Sequence, residues 1–454
     1  MSCATIEQVQ LQEIRLQHDW AEVVKEGTAG ERVWTSLGGI HESLELTRSP
    51  EGGLSFSIDA GGVLRAELLK NGDSSSSASS ATTRIREDKE QGGCEQLFHA
   101  PQQSICTNPR RFLAVAVTPC LQWLAASGED GHVVCLPTER AFAKREWATI
   151  DAFEPEQEED QEKKKSREGM REYIGHVGDV YAAKWFPSGK VLLTCGADCQ
   201  LKIYDAFKSI TAAASLVGHA GAVLDADFVD RGRQLLSGSR DGTARLWDVP
   251  QQCTLSTFAP EKHRGSVTRC AVDLESAGAI LYAAHSRRGL LMFDSRDSSA
   301  SSLPQRTFLT PGQTVNCFAS SSSQLVLGTE SGGLEFWDLR NHSSPTLVVH
   351  SDFGPILHMQ SISTTPPTIP SSSSISSSTS STSSSALSSS TSASSELTFW
   401  FSTSKGSLLQ WHGGAIRHSL SGPDLDPVFH FTALHNNAVF SVARDKILRR
   451  YQLF

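Results

Sequence analysis

The chain has 454 residues, 39% of them apolar, with 41 Lys plus Arg against 50 Asp plus Glu and a net charge of −9. That length suits one large closed all-β domain with an appendage, and the low apolar share leaves part of the chain outside any core. The acidic balance argues against non-specific binding to nucleic acid or anionic membranes, so neutral or basic protein surfaces are the expected partners.

The N-terminal stretch MSCATIEQVQLQEIRLQHDW carries charges at Glu7, Glu13, Arg15 and Asp19 and lacks the apolar core of a secretory signal. No later run approaches the roughly 18 apolar residues of a bilayer span. The 10 cysteines show no CxxC pairing, Cys195 and Cys199 coming closest, which predicts free thiols in a reducing compartment. Residues 1–70 hold alternating apolar segments (Leu54, Phe56, Ile58; Val63, Leu64, Leu68) and two tryptophans, Trp20 and Trp34. They are read as a small N-terminal β-rich module packed on, or tethered to, the larger C-terminal domain. Residues 71–93 form a Ser-rich linker.

From residue 94 onward the chain repeats. GHVGDVYAAKWFPSGKVLLTCGADCQLKIYDA, from Gly175, aligns without a gap on GHAGAVLDADFVDRGRQLLSGSRDGTARLWDV, from Gly218. The offset is 43 residues, and Tyr204-Asp205 falls on Trp247-Asp248. This period and the GH…WD ends are the WD40 signature. Weaker copies run from Phe112 to Pro137, His263 to Asp294, Val315 to Asp338, Ile356 to Trp411 and Val428 to Tyr451, making seven units. Turns such as Arg240-Asp241-Gly242-Thr243 supply the positive φ of a tight hairpin. Residues 94–454 are thus predicted to form a seven-bladed WD40 β-propeller, each unit a small antiparallel sheet that only its neighbours can bury. Leu97 to Thr107 is the candidate closing strand, beside Leu448–Leu453. The charged run 154–172 and the Ser/Thr tract 361–396 are expected to be disordered insertions, either phosphorylated or merely tolerated loops, the loop reading being preferred.

His219, Ser237, Asp241 and Trp247 imitate a catalytic set, but the preceding unit supplies His176, Thr194, Asp198 and Tyr204 in the same places. A catalytic site would occur once, so both sets are read as buried hydrogen-bonded networks that hold a blade. No HExxH, no His/Cys ligand pairing and no GxxxxGK[ST] or GxGxxG loop occurs. The expectation is a non-enzymatic protein with no cofactor and no metal, binding neither nucleic acid nor membrane. The Lys163–Lys165 triplet beside an acidic run reads as a solvated charge block. Binding is expected on the face with the inter-blade loops and Asp-bearing turns. The residues before each turn Asp and around each first strand's opening Val or Ile give Glu129, Asp179, Tyr181, Leu224, Arg240, Asn316, Glu330, Leu357, Phe429 and Arg444 as docking candidates.

The segment Gly175 to Trp247, above all Phe186-Pro187-Ser188-Gly189 and DRGRQLLSGSRDGTARLWD (Asp230–Asp248), resembles the proteasomal ATPase-associated factors. So do DPVFHF (Asp426–Phe431), RDKILRRYQL (Arg444–Leu453) and His18-Asp19-Trp20. The likeness is dense over roughly 175–250 and 420–454 and sparse elsewhere; both insertions depart from it. It implies a monomeric chaperone, cytoplasmic and nuclear, that binds the C-terminal domain of a proteasomal ATPase subunit and assists or regulates assembly of the 19S regulatory-particle base. An acidic face of Asp179, Glu330, Asp424 and Asp426 would meet a basic patch there. The alternative is a substrate receptor of a cullin-type ubiquitin ligase, since Trp337-Asp338-Leu339-Arg340 fits a WDxR motif and Phe293-Asp294-Ser295-Arg296 is a looser copy.

Overall fold

The computed structural model describes residues 7–11, 14–16, 32–37, 40–45, 54–58, 64–68, 95–99, 101, 103–106, 111–138, 148–149, 170–258, 265–273, 279–296, 304–308, 313–321, 323–340, 344–362, 397–423, 425–434 and 437–453. The linker 71–93 and the bulk of both insertions (154–169 and 363–396) lie outside them.

Short strands rich in Val, Ile, Leu and Phe, broken by Gly/Asp/Ser turns, pair only with near neighbours, so each repeat becomes one antiparallel sheet. Seven such blades close into a β-propeller. The innermost strands are Phe112–Val117, Val180–Trp185, Val223–Val229, Val267–Val272, Val315–Ser320, Ile356–Ser361 and Val428–Ala433, which number blades 1 to 7. Each touches the next, and Val428–Ala433 returns to Phe112–Val117. The core is seven wedges, one between each pair of consecutive blades. The first residue of every innermost strand is buried in it.

Side chains also brace each junction of the ring. Trp185 Nε1 donates to Ala116 O at 3.3 Å, and Lys184 Nζ reaches Asp227 Oδ1 at 3.4 Å. Asp225 and Asp227 accept from Cys270 N and Val272 N at 3.1 and 2.9 Å. Thr268 Oγ1 donates to Val315 O at 3.5 Å and Asn316 Nδ2 to Ile356 O at 3.2 Å. Gln360 exchanges two 2.9 Å bonds with Ala433, and Thr432 Oγ1 closes the circle on Val115 O at 2.7 Å.

The fourth strand of blade 7 is Gln103–Cys106, antiparallel to Ile447–Arg450. The sequence places one closing strand over 97–107; the structure divides that stretch. Glu95–His99 turns instead onto blade 6, where Leu97–His99 lie parallel to His418–Leu420. The sequence extends the charged run through residue 172, yet Arg171–Tyr173 form the fourth strand of blade 1. Buried Tyr173, whose hydroxyl donates to Ala206 O at 2.8 Å, anchors it.

Strands from the N-terminal 70 residues join the propeller's sheets. Glu7–Leu11 adds in parallel outside Leu347–Ser351 of blade 5. Leu54–Ile58 and Leu64–Leu68 continue the blade 6 sheet beyond Glu95–His99. Ile14–Leu16, Arg32–Leu37 and Ile40–Glu45 form a three-stranded sheet of their own. The two-residue strand Ala148–Thr149 adds in parallel outside Gln103–Cys106.

Candidate protein-docking face

One end of the disc carries the start of every innermost strand and the turn between second and third strands. Two sevenfold features shape it. First, the second residue of each innermost strand is skipped in the pairing, as between Val223 and Asp225 opposite Ser239 and Gly238. The same bulge recurs in the other six blades. A bulge leaves its extra residue unpaired and re-aims its side chain. The skipped residues are Leu113, Tyr181, Leu224, Thr268, Asn316, Leu357 and Phe429, and all seven are half-buried at the channel mouth.

Second, the residue after each second strand donates its backbone N–H to the carbonyl just before the innermost strand. The pairs are Glu129 to Arg111, Ala197 to Asp179, Arg240 to Ala222, Ser286 to Ser266, Glu330 to Thr314, Ser404 to Pro355 and Arg444 to Pro427, at 2.8–3.1 Å. These residues stand in a rim around the mouth. The structure therefore puts Tyr181, Leu224, Asn316, Leu357 and Phe429 on bulges, and Glu129, Arg240, Glu330 and Arg444 on the rim. Asp179 precedes the blade 2 bulge, and its Oδ1 accepts from Asp130 N at 3.4 Å. Asp426 is half-buried beside Pro427; Asp424 lies outside the described residues. Leu113 and Thr268 on the bulges, and Ala197, Ser286 and Ser404 on the rim, were missed. The repeat register alone would have found them.

Chemistry around the mouth is uneven. Blades 6, 7, 1, 2 and 3 present Leu357, Phe429, Leu113, Tyr181 and Leu224 in succession, an apolar arc; blades 4 and 5 present Thr268 and Asn316, whose polar atoms brace the ring. Arg111 pairs with Glu129 at 3.2 Å, and the Arg240 guanidinium lies 5.8 Å from the centre of the Tyr181 ring. Glu330 and Arg444 are exposed, with no ion-pair partner among the described residues.

Beneath the mouth, His219 Nε2 meets Ser237 Oγ at 2.7 Å and its Nδ1 meets Asp241 Oδ2 at 2.9 Å. Trp247 Nε1 donates to the same Ser237 hydroxyl at 2.8 Å. Blade 2 repeats this with His176 Nε2 to Thr194 Oγ1 at 2.7 Å and Nδ1 to Asp198 Oδ1 at 2.9 Å, with the Tyr204 hydroxyl beside the same Thr194. Burial works against the Asp241 charge, but bonds from His219 and Thr243 outweigh it and hold the carboxyl well below its usual range. Burial lowers His176, with the Asp198 charge acting against it. The Ser237 and Thr194 hydroxyls are both bonded inside their blades. In blade 7 the guanidinium of buried Arg449 bonds Asp445 and Gly422 O.

Lys184, Asp225, Asp227 and Arg269 form a charged cluster on the channel wall. Burial opposes the Lys184 charge, and Asp225 and Asp227 more than offset it, keeping the amine above the ordinary lysine range. Arg269 stands 3.9 Å from Asp225. Across the ring, His358 and His430 lie with ring centres 4.1 Å apart, tilted at 42°, and are held neutral, by burial first and neighbouring positive groups second. Burial pushes the Cys135 and Cys317 thiols up to about 12, which keeps them protonated and poor nucleophiles. No group of three or more His, Cys, Asp or Glu among the described residues could hold a metal ion.

The profile "WD domain, G-beta repeat" matches residues 168–205 and 211–248. Each match begins at the outermost strand of one blade and ends at the third strand of the next, so a sequence repeat staples two blades. The chain is also similar to the U5 small nuclear ribonucleoprotein 40 kDa protein of Dictyostelium discoideum, 24% identical over 183 residues, or 40% of this chain and 50% of that protein. The aligned part thus spans half the length of that relative. Repeats and likeness together support a WD40 protein, an architecture suited to a protein-interaction scaffold.

Proposed function

We propose that the chain is a non-enzymatic docking chaperone that seats a partner protein on the channel mouth. The observation carrying this reading is the arc Leu357, Phe429, Leu113, Tyr181 and Leu224, flanked by the charged rim residues Arg444, Glu129 and Arg240. Apolar and aromatic anchors inside a polar rim are the anatomy of a protein–protein contact. The client is the C-terminal domain of a proteasomal ATPase subunit, and the setting is assembly of the regulatory-particle base. That finer assignment rests on the resemblance of 175–250 and 420–454. The rim acid Glu330, with Asp426 and Asp179 near the mouth, speeds encounter with a basic helical domain more than it adds affinity.

The test is native co-purification, followed by titration of purified ATPase C-terminal domains. Tyr181→Asp with Leu224→Asp is expected to weaken binding at least about tenfold, roughly the cost of losing one anchor. Unchanged affinity removes the mouth as the site. A Glu330→Lys, Asp426→Lys variant that binds normally removes the acids from the account. Recovery of a ligase adaptor through Arg340, whose side chain is exposed, would favour the receptor reading.

A further inference from the structure

Outer edges of the blades are treated unequally. Blades 5, 6 and 7 each carry an extra strand beyond the fourth, and all three additions are parallel: Glu7–Leu11, Leu97–His99 and Ala148–Thr149. Among the described residues no further strand pairs outside the fourth strands of blades 1 to 4, and Ile174, just past that of blade 1, makes a single parallel bridge to Thr211. Exposed apolar side chains gather in the same bare sector. Of the six large ones, Ile174, Val177, Ile210, Val217 and Leu255 belong to blades 2 and 3 or the loop entering blade 2.

Blade 3 offers the longest bare edge, Cys253–Phe258, which has neither charge nor proline. It also copies the docked edge of blade 6. There Trp411 pairs with Ile416 and Gln410 with His418, so Arg417 is skipped; the parallel strand then begins at His418. In blade 3 Trp247 pairs with Thr254 and Leu246 with Ser256, so Leu255 is skipped. Ser256, Thr257 and Phe258 thus stand where His418, Ser419 and Leu420 receive Leu97, Phe98 and His99. Phe98, between Ser419 on one side and Leu64 on the other, is 1% exposed. Leu255, beside the empty equivalent, is 44% exposed.

We propose that the edge Ser256–Phe258 of blade 3 is a strand-addition site for an extended segment of another protein. The segment runs parallel to the edge, with an aromatic or aliphatic side chain opposite Thr257 and uncharged neighbours. Main-chain hydrogen bonds supply affinity and the central side chain supplies selectivity. A second copy of this chain fits less well, because pairing one strand with itself about a twofold axis is antiparallel. The site is independent of the channel mouth.

The probe is a synthetic peptide with the sequence of residues 95–101, offered to the full chain. The chain's own strand stays on blade 6 because its tether gives it a far higher effective concentration. Hydrogen exchange at 256–258 is expected to slow about tenfold at roughly ten times the peptide's Kd. A peptide with Asp in place of Phe98, or a chain carrying Thr257→Lys with unchanged melting temperature, is expected to lose that protection. A photoreactive group on the peptide's N-terminus should cross-link near Cys253–Ser256. Protection confined to 415–420, none at all, or a cross-link beyond Phe258 overturns the proposal. So does equal protection without peptide in a concentration-dependent dimer.

Discussion

At the scale of single residues, one hydroxyl decides whether a blade's tryptophan is satisfied. Ser237 Oγ links the two rings: it accepts from Trp247 Nε1 and donates to His219 Nε2, whose Nδ1–H is held by the Asp241 carboxylate. In blade 5 the equivalent of Ser237 is Leu327, opposite Phe318 and Glu335, and buried Trp337 Nε1 has no hydrogen-bond partner among the described residues. Trp247→Phe should therefore cost more stability than Trp337→Phe, by about 1–3 kcal/mol, the penalty of an unmade buried bond. Urea unfolding of the two variants checks this, and equal losses would refute the account. A second consequence concerns pH. His99 Nε2 and His418 Nδ1 meet at 2.8 Å, and burial above all lowers both rings from 6.5 to about 4. The unfolded chain binds these protons near 6.5 and the folded chain only near 4, so stability falls with pH between those values and is flat above them. The adjacent pair His358 and His430, also lowered, adds loss of the same sign. Melting temperature should drop steeply from pH 6.5 towards 4, and less steeply in His418→Gln; parallel profiles would argue against the pair.

At the scale of elements, turns and closing strand show what the sequence could reveal. The third residue of the turn after the second strand has positive φ in six blades, and it is glycine in four. Cys199 holds φ 64° in blade 2 without that freedom. A left-handed non-glycine residue costs about 1–2 kcal/mol, against about 0.5–1 kcal/mol for glycine's extra entropy. Cys199→Gly is thus expected to raise stability by up to about 1 kcal/mol, readable in a denaturation midpoint. Asp-Gly and Ser-Gly turns mark blades 1, 3 and 5, and the GH…WD ends fixed blades 2 and 3. Bulges were not legible, because a one-residue shift leaves alternation unchanged on either side. The four-residue closing strand was legible only as a region. Its Ile105, buried at 2% exposure against Leu448, ties the two ends of the ring. Ile105→Ala should cost about 2–4 kcal/mol and broaden the unfolding transition; a small, fully cooperative loss would mean the ring closes without it.

At the scale of the whole molecule, the propeller divides into a dressed half and a bare half. Added strands cover the outer edges of blades 5 to 7, while blades 1 to 4 end on their fourth strands among the described residues. Periodicity could not foretell this. Glu7–Leu11 reads as an ordinary polar-apolar alternation, and only its pairing with Leu347–Ser351, with Val9 against the wedge between blades 5 and 6, gives it a place. The ring itself closes through Gln103–Cys106, downstream of these additions. Removing residues 1–70 should therefore leave the seven wedges and the mouth intact while uncovering the edge Leu347–Ser351. An uncovered, uncharged edge strand recruits another strand. The expected outcome is a shortened chain that keeps its far-ultraviolet β signal and its partner affinity at the mouth, yet self-associates with rising concentration in sedimentation. Loss of cooperative folding instead would make the N-terminal strands part of the ring's stability rather than its cover.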